Sequence, residues 1–136
     1  MKGVNEIIEK GFVISGIINI GGVMIFSRFF TNTAIPEADP VVMSNFGLLM
    51  IVLWGLVFIA TSKKYKHLKW LIGVFVIEKL IYGLNWTYWI LNNDLSSIYS
   101  QDWMAGVFFS TYGLNDWFFF LFFLYVFIKL LKTGKT

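Results

Sequence analysis

Four long apolar segments divide this chain, and they limit what it can fold into more than any other feature. They cover residues 7–30, 44–61, 68–91 and 105–131. As a helix rising about 1.5 Å per residue, each can cross the roughly 30 Å hydrocarbon core of a bilayer. Because backbone polar groups in lipid must be bonded within their own segment, all four segments are predicted to be helices.

The composition favours lipid over water as the surrounding solvent. Of the 136 residues, 57% are hydrophobic and only 14% are charged, whereas soluble domains are about 25% charged. A soluble chain of this length could not bury so much apolar surface, because its surface is large relative to its volume. The chain is therefore predicted to be a single all-α transmembrane domain over residues 1–136, a four-transmembrane-helix bundle made of two hairpins.

A cleaved signal peptide is the alternative interpretation of the first segment. Glu6 and Glu9 stand beside Lys2 and Lys10 at its start, whereas a signal peptide begins with a purely basic region. No small-residue cleavage site follows Arg28. A retained helix is the favoured prediction.

The distribution of lysines predicts the orientation of the helices, because cytoplasmic loops are enriched in basic residues. The loop after the second segment and the C-terminal end are basic, while the other two loops contain acidic residues without a lysine. Both termini and the middle loop are therefore predicted to be cytoplasmic. Arg28 is the exception, and it is expected either to extend to the interface or to pair with Glu37 or Asp39. The basic residues used are Lys63, Lys64, Lys66, Lys69, Lys129, Lys132 and Lys135.

Charged residues interrupt the third and fourth segments near mid-membrane depth. Lys79 and Asp116 each lie about 20 Å from the outer end of their helix, and a charge at this depth costs about 2.5–3.5 kcal/mol on insertion scales. The two helices are joined by a short loop, so the side chains are predicted to form an ion pair in the bundle interior. The pair could be a structural clamp or part of an ion, proton or substrate site.

Glu78 and several polar side chains surround this pair. Glu78 projects about 100° away from Lys79, so it could share the edge of the interior, face a second protomer, or carry a proton. Other groups are expected to form a pocket, opening outward or sideways, with Lys79 and Asp116 as its floor; a close-packed core is the alternative. The candidate ligand-binding or proton-site residues are Lys79, Asp116, Glu78, Asn115, Asn19, Tyr82, Asn85 and Tyr112, with Trp86 as a further wall residue.

The glycines of the apolar segments have a separate interpretation. Small residues in membrane helices allow neighbouring helices to approach closely. Close approach is therefore predicted at Gly16, Gly21, Gly22, Gly47, Gly55 and Gly83.

Several functional classes lack the residues they need. The chain has no cysteine, and its one histidine, His67, lies in the basic loop, so no metal or haem site is predicted. No nucleophile, phosphate-binding or other catalytic motif is present. We therefore predict no catalytic residue and no cofactor. A net charge of +3 spread over helix ends fits a lipid surface and not a nucleic acid.

Short motifs resemble those of the DoxX-like four-helix membrane proteins of bacteria. They are GIIN at residues 16–19, GVFVIEK at 73–79 and GLND at 113–116 with an aromatic after it. The resemblance implies a four-helix fold in the bacterial cytoplasmic membrane, with Asn19, Lys79, Asn115 and Asp116 as its matching polar residues. Glu78 stands where that family usually has glycine, and Phe120 and its neighbours replace a proline-containing stretch. The name-giving relatives are associated with quinone-linked respiratory oxidoreductases.

Three functions remain open at this point. The first is non-enzymatic binding or transport of a small solute, a lipophile or a proton around the Lys79–Asp116 pair. The second is an accessory or anchor subunit that holds a partner or a quinone beside a membrane oxidoreductase, and the third is a lipid- or quinone-modifying enzyme. The expected partners are the bilayer, a second copy or another membrane subunit, and a quinone or other small lipophilic ligand.

Overall fold

The computed structural model describes residues 2–134, and within that range every regular element is a helix. The all-α prediction is confirmed. The long helices are α1 (Lys2–Phe26), α3 (Asn45–Thr61), α4 (Lys69–Asn92) and α6 (Trp103–Thr133). The short elements are α2 (Ala34–Ala38), α5 (Leu95–Gln101) and a 3-10 turn at Tyr65–His67. By length and composition, α1 and α6 could each cross a membrane, whereas α3 is apolar but has only 17 residues.

The predicted boundaries of the first helix differ at both ends, and α1 begins at Lys2, five residues before the predicted start at residue 7. α1 ends at Phe26 and not at residue 30, because Arg28, Phe29 and Phe30 have φ angles of 49°, 55° and 67°. Left-handed backbone cannot continue a right-handed helix, and it costs non-glycine residues roughly 1–2 kcal/mol each. The two acidic loops also contain α2 and α5, which the sequence did not indicate. Lys135, one of the basic residues used for orientation, lies outside the described residues.

The helices pack as the two predicted hairpins. α1 packs along α3, and α4 packs along α6. A Cβ on Gly16 would meet the carbonyl oxygen of Gly55, and a Cβ on Gly113 would meet the ring of Trp86. Both pairs of helices therefore approach each other over a glycine, which is how small residues act in membrane helix interfaces.

Aromatic rings fill the end of the bundle nearest the 3-10 turn. Phe12, Phe58, Phe75 and Phe123 come from the four long helices and are all 0% exposed. Their ring centroids lie 4.8–6.2 Å apart in the contacting pairs, the range of favourable aromatic contacts. We refer to these four residues as the phenylalanine cluster. It joins the two hairpins without a cavity-sized gap between its rings.

Polar contacts join the two hairpins at the opposite end. Asp102 caps α6 by accepting a hydrogen bond from the backbone nitrogen of Ala105 at 2.9 Å. Its carboxylate also accepts from Asn32 Nδ2 at 3.0 Å and pairs with Arg28 at 2.7 Å. The expected pairing of Arg28 with Glu37 or Asp39 is wrong, because the left-handed turn after α1 brings Arg28 to the start of α6 instead.

These contacts set the charge of Asp102. Partial desolvation acts to raise the pKa of this carboxyl, but the hydrogen bonds from Ala105, Arg28 and Asn32, with the charge of Arg28, outweigh it. The net result is a pKa below the ordinary value of 3.8, because each contact favours the ionised form.

Candidate functional site

An ion pair lies where the two hairpins meet at mid-length. Lys79 Nζ on α4 is 2.8 Å from Asp116 Oδ1 on α6, and the residues are only 1% and 6% exposed. The predicted pairing in the bundle interior is confirmed. α4 and α6 are antiparallel and the two residues lie about equally far from the loop between them, so their side chains meet at one level.

Asn19 of α1 connects this pair to the other hairpin. Its Oδ1 accepts a hydrogen bond from Lys79 Nζ at 3.3 Å, and its Nδ2 donates to the carbonyl oxygen of Ile51 on α3 at 3.3 Å. The predicted approach of Asn19 to the pair is confirmed. One continuous network therefore connects all four long helices, and the ammonium group also lies 5.1 Å from the ring centroid of Phe58.

Glu78 is a second carboxylate beside the pair, and it is less well satisfied. The residue is 6% exposed, and its Oε2 lies 3.9 Å from Lys79 Nζ without any hydrogen-bond partner. Among the described residues, Ser15 Oγ is the other buried side-chain atom of this kind. Of the positions considered for Glu78, the edge of the interior is the one observed. An oxygen without a hydrogen-bond partner on a buried carboxylate is costly, and a proton or a ligand on Glu78 would relieve that cost.

A cavity of about 170 Å³ adjoins this charged group. It extends from Lys79 and Asp116 towards Phe26 and Phe108, between α1 and α6, on the side away from the phenylalanine cluster. Ile18 and Thr111 at its edge are exposed on the bundle surface, so the cavity is bordered laterally by groups that face outward. The lining comprises Ile18, Asn19, Gly22, Val23, Phe26, Ile51, Glu78, Lys79, Tyr82, Phe108, Thr111, Tyr112, Asn115 and Asp116.

Seven of the eight predicted site residues line this cavity, and the exceptions are informative. Asn85 lies outside the lining and donates a long hydrogen bond, 3.5 Å, to the hydroxyl oxygen of Tyr112. The expectation that Trp86 forms a wall is wrong. Trp86 packs on Gly113 and donates to the carbonyl oxygen of Phe109 at 2.6 Å. Gly113 lets α6 approach α4 so closely that the indole fills that interface, and the open space lies towards α1 instead.

Beyond Asn19, the contribution of α1 to the cavity wall was not predicted from the sequence. Gly22, Val23 and Phe26 follow Asn19 on one face of that helix, at the spacing of an interior stripe. A Cβ on Gly21 or Gly22 would meet no atom within 4 Å, so the prediction of close helix approach is wrong at these two positions. The interior spacing from Asn19 was the available signal, but it does not show whether a glycine borders a neighbour or a space.

The polar side chains that face the cavity differ in whether they already form hydrogen bonds within the protein. The Thr111 hydroxyl donates within its own helix, to the carbonyl oxygen of Val107 at 2.8 Å. Lys79 is held by Asp116 and Asn19. By contrast, the side chains of Tyr82 and Asn115 form no hydrogen bond with any residue of the described range 2–134. These two side chains are therefore available to orient a small molecule.

Comparisons with known proteins add no assignment. No family model, no curated protein and no solved structure matches this chain. The DoxX-like resemblance therefore stays a hypothesis, and any functional proposal depends on the geometry of the site.

Proposed function

We propose that this chain is a multi-pass membrane protein that binds a small lipophilic molecule in the cavity above Lys79 and Asp116, without altering it chemically. α1, α3, α4 and α6 would each cross the bilayer, with both termini and the loop between α3 and α4 in the cytoplasm. The bacterial cytoplasmic membrane is the setting that the DoxX-like resemblance implies.

The outward faces of α3 and α4 support the crossing of all four helices. Both helices expose large apolar side chains along their whole length, although by length and composition only α1 and α6 of the described helices are candidates for crossing a membrane. Soluble monomers rarely expose apolar patches of this extent, and lipid would cover them. The side chains are Phe46, Leu49, Leu53 and Leu56 on α3, and Val74, Ile77, Ile81 and Leu84 on α4, each at least 44% exposed.

The cavity beside a buried charge network is the observation that carries the binding proposal. Apolar walls with a few convergent polar groups are typical of ligand sites between the helices of a bundle. Intramembrane ionisable groups are costly, and they usually mark a substrate, ion or proton site. A clamp alone would need Lys79 and Asp116, but it would need neither Glu78 nor an adjoining space.

Binding is favoured over catalysis by the state of the reactive groups. The amine of Lys79 is held by Asp116 and Asn19, so it is not free to attack a bound molecule. The hydroxyl of Thr111 donates its hydrogen bond to the carbonyl oxygen of Val107 in its own helix. It therefore makes no hydrogen bond to a carboxylate that could act as its base. The remaining hydroxyls belong to tyrosines, which serve here as walls and donors.

Single introduced cysteines test the topology, because the chain has none of its own. Glu37→Cys and Lys64→Cys are both at exposed positions. We expect a membrane-impermeant maleimide to label Glu37→Cys in intact cells and Lys64→Cys only after the membrane is opened. Labelling of both from the same side would contradict the four crossings.

Two neighbouring glycines test the binding. Gly22→Leu places a side chain in the cavity. Gly21→Leu makes the same change at the neighbouring position, which has open space around it but does not line the cavity. Each variant is purified in mild detergent and extracted with organic solvent, and the extract is analysed by mass spectrometry. We expect a lipophilic species with the original chain and Gly21→Leu, but not with Gly22→Leu. Identical extracts from all three would contradict the proposal, and a co-purifying oxidoreductase subunit would favour the accessory role.

A further inference from the structure

We propose that the ligand is a small organic cation, about the size of one ring, that takes the place of a proton on Glu78. This inference rests on the proposed binding function and specifies its ligand class. It depends on the charges of the lining, the unpartnered oxygen of Glu78, the aromatic walls and the size of the cavity.

The lining has one more acidic group than it has basic groups. Its ionisable charged residues are Lys79, Asp116 and Glu78. Lys79 lies 2.8 Å from Asp116 and 3.9 Å from Glu78, so the closer carboxylate neutralises it. If Glu78 is ionised, the cavity carries a net negative charge in an apolar setting, which is strongly unfavourable. A proton or a cationic ligand removes that charge, whereas an anionic ligand doubles it.

Glu78 is the acidic residue that carries the extra negative charge of the lining. It is 94% buried, since its exposed fraction is 6%; it lines the cavity, and one of its carboxylate oxygens, Oε2, has no hydrogen-bond partner among the described residues. The titratable groups that line the cavity with it are Lys79 and Tyr82 on α4, and Asp116 and Tyr112 on α6. The parts of α1 and α3 that pack here contribute Asn19, Ile51 and Trp54, none of which titrates.

The walls suit a cation better than a neutral polar molecule. Phe26, Phe108, Tyr82 and Tyr112 surround the space above the carboxylates. The face of an aromatic ring attracts an organic ammonium group and also accommodates its carbon substituents. The volume of about 170 Å³ is close to that of a cavity of about 150 Å³ that binds benzene. One ring carrying an ammonium group is therefore a suitable size.

Proton exchange keeps the cavity neutral in both states. Without ligand, Glu78 holds a proton on a carboxyl oxygen, and the charges of Lys79 and Asp116 cancel. When the cation enters, the O–H bond of Glu78 breaks, the proton leaves to water, and the carboxylate pairs with the ammonium group. One positive charge enters and one leaves, so neither state has an uncompensated charge at mid-bilayer depth.

Three probes with one ring and different charge test the inference. Calorimetry on the full chain in detergent at neutral pH measures binding of benzylamine, benzyl alcohol and benzoate. We expect benzylamine to bind at least about tenfold more tightly than benzyl alcohol, as a hydrogen bond to a charged group implies, and benzoate not to bind. Equal affinity for the amine and the alcohol would overturn the cation proposal, while leaving the binding function intact.

Proton release gives an independent readout that needs no variant. Titration of the original chain with benzylamine in weak buffer, followed with a pH indicator, should release about one proton per molecule bound. The affinity should rise with pH, by up to about tenfold per unit, wherever the free protein holds the proton. Release of no proton would overturn the exchange.

Glu78→Gln removes the charge and keeps the shape. We expect this variant to fold, with a melting temperature no lower than that of the original chain, and to lose the preference for the amine together with its pH dependence. Retained preference in Glu78→Gln would overturn the assignment of Glu78. If none of the three probes binds to the original chain, the ligand class is wrong, and the extraction experiment with Gly22→Leu still decides the binding function on its own.

Discussion

The two halves of this helix bundle are built from the same four long helices but are packed differently. On one side of Lys79, Phe12, Phe58, Phe75 and Phe123 pack ring against ring and leave no exposed surface. On the other side, residues of all four long helices line a cavity of about 170 Å³ between α1 and α6. The network of Lys79, Asp116 and Asn19 lies at the boundary. Helix number and connection are therefore compatible with either a solid or a hollow interior.

On α1 and α3, side-chain size differs between the two halves. α1 contributes Phe12 to the solid half and Gly22 to the hollow half, and α3 contributes Phe58 and Ile51 in the same order. Interiors normally pack to the density of organic crystals. A space retained next to a buried carboxylate is consistent with a site that is filled by a ligand.

Replacing one ring in each half should give the largest contrast. Phe123→Ala removes a ring in contact with three others of the phenylalanine cluster, and we expect it to lower the free energy of unfolding by about 3–5 kcal/mol. Phe108→Ala should lower the free energy of unfolding by about half as much, because one side of Phe108 faces the cavity and makes fewer contacts. Chemical unfolding in detergent measures both variants. Equal losses would indicate that the halves are packed alike.

Breaking the boundary network should have the next largest effect. Lys79→Met leaves Asp116 buried without its cation, and we expect a loss of about 3 kcal/mol in the free energy of unfolding. Lys79→Met combined with Asp116→Leu should recover part of that loss, since no unpaired charge then remains between them. Unfolding of the double and single variants in the same detergent checks this. A double variant that is less stable than Lys79→Met would contradict the account.

Two glycines of α1 allow a smaller but cleaner comparison. Gly16→Ala forces a Cβ against the backbone of Gly55, and we expect it to cost about 1–3 kcal/mol through overpacking. Gly22→Ala faces the cavity and should be neutral or stabilise by about 0.5–1 kcal/mol, because alanine favours helix over glycine. Melting temperatures of the two variants measure the difference. Similar losses at both positions would show that no open space lies beside Gly22.

The weakest effect is expected at Asp102, which caps α6 at the end of the bundle opposite the phenylalanine cluster. Contacts from Arg28 and Asn32 help to hold the pKa of Asp102 below 3.8, so its ionised form stabilises the fold at higher pH. That contribution is complete above about pH 4 and is lost as the pH falls further through the lowered pKa. Asp102→Asn should cost less than about 1 kcal/mol at pH 7 and should remove this part of the acid sensitivity. Melting curves between pH 3 and pH 7 compare the two chains.

The helices and the ion pair could be predicted from the sequence, because they depend on segment length and on depth in the bundle. Features that depend on how closely two helices approach could not. The helices and the Lys79–Asp116 pair follow from the length of apolar segments and from equal depth on a hairpin. Gly16 and Gly22 are six residues apart on one apolar helix, yet one contacts a backbone and the other borders a cavity. That difference depends on how the hairpins meet, which no local pattern contains.

The partner of Arg28 could not be predicted for a similar reason. Three consecutive residues with positive φ turn the chain after α1, and none of them is a glycine that would indicate such a turn. Contacts with Asp102, 74 positions further along the chain, hold the turn in place. Long-range contacts of this kind override the local preference that would have extended α1 to residue 30.

Xenon is the most direct test of the contrast between a solid half and a hollow half, because it binds in protein cavities of about this size, and most of the wall area here is apolar. Co-purified lipophiles are removed, and a crystal of the full chain is pressurised with xenon. The diffraction data then show where the xenon atoms bind. The account predicts xenon between Gly22 and Tyr112, and none among Phe12, Phe75 and Phe123. Xenon within the phenylalanine cluster, or none in the bundle at all, would contradict it.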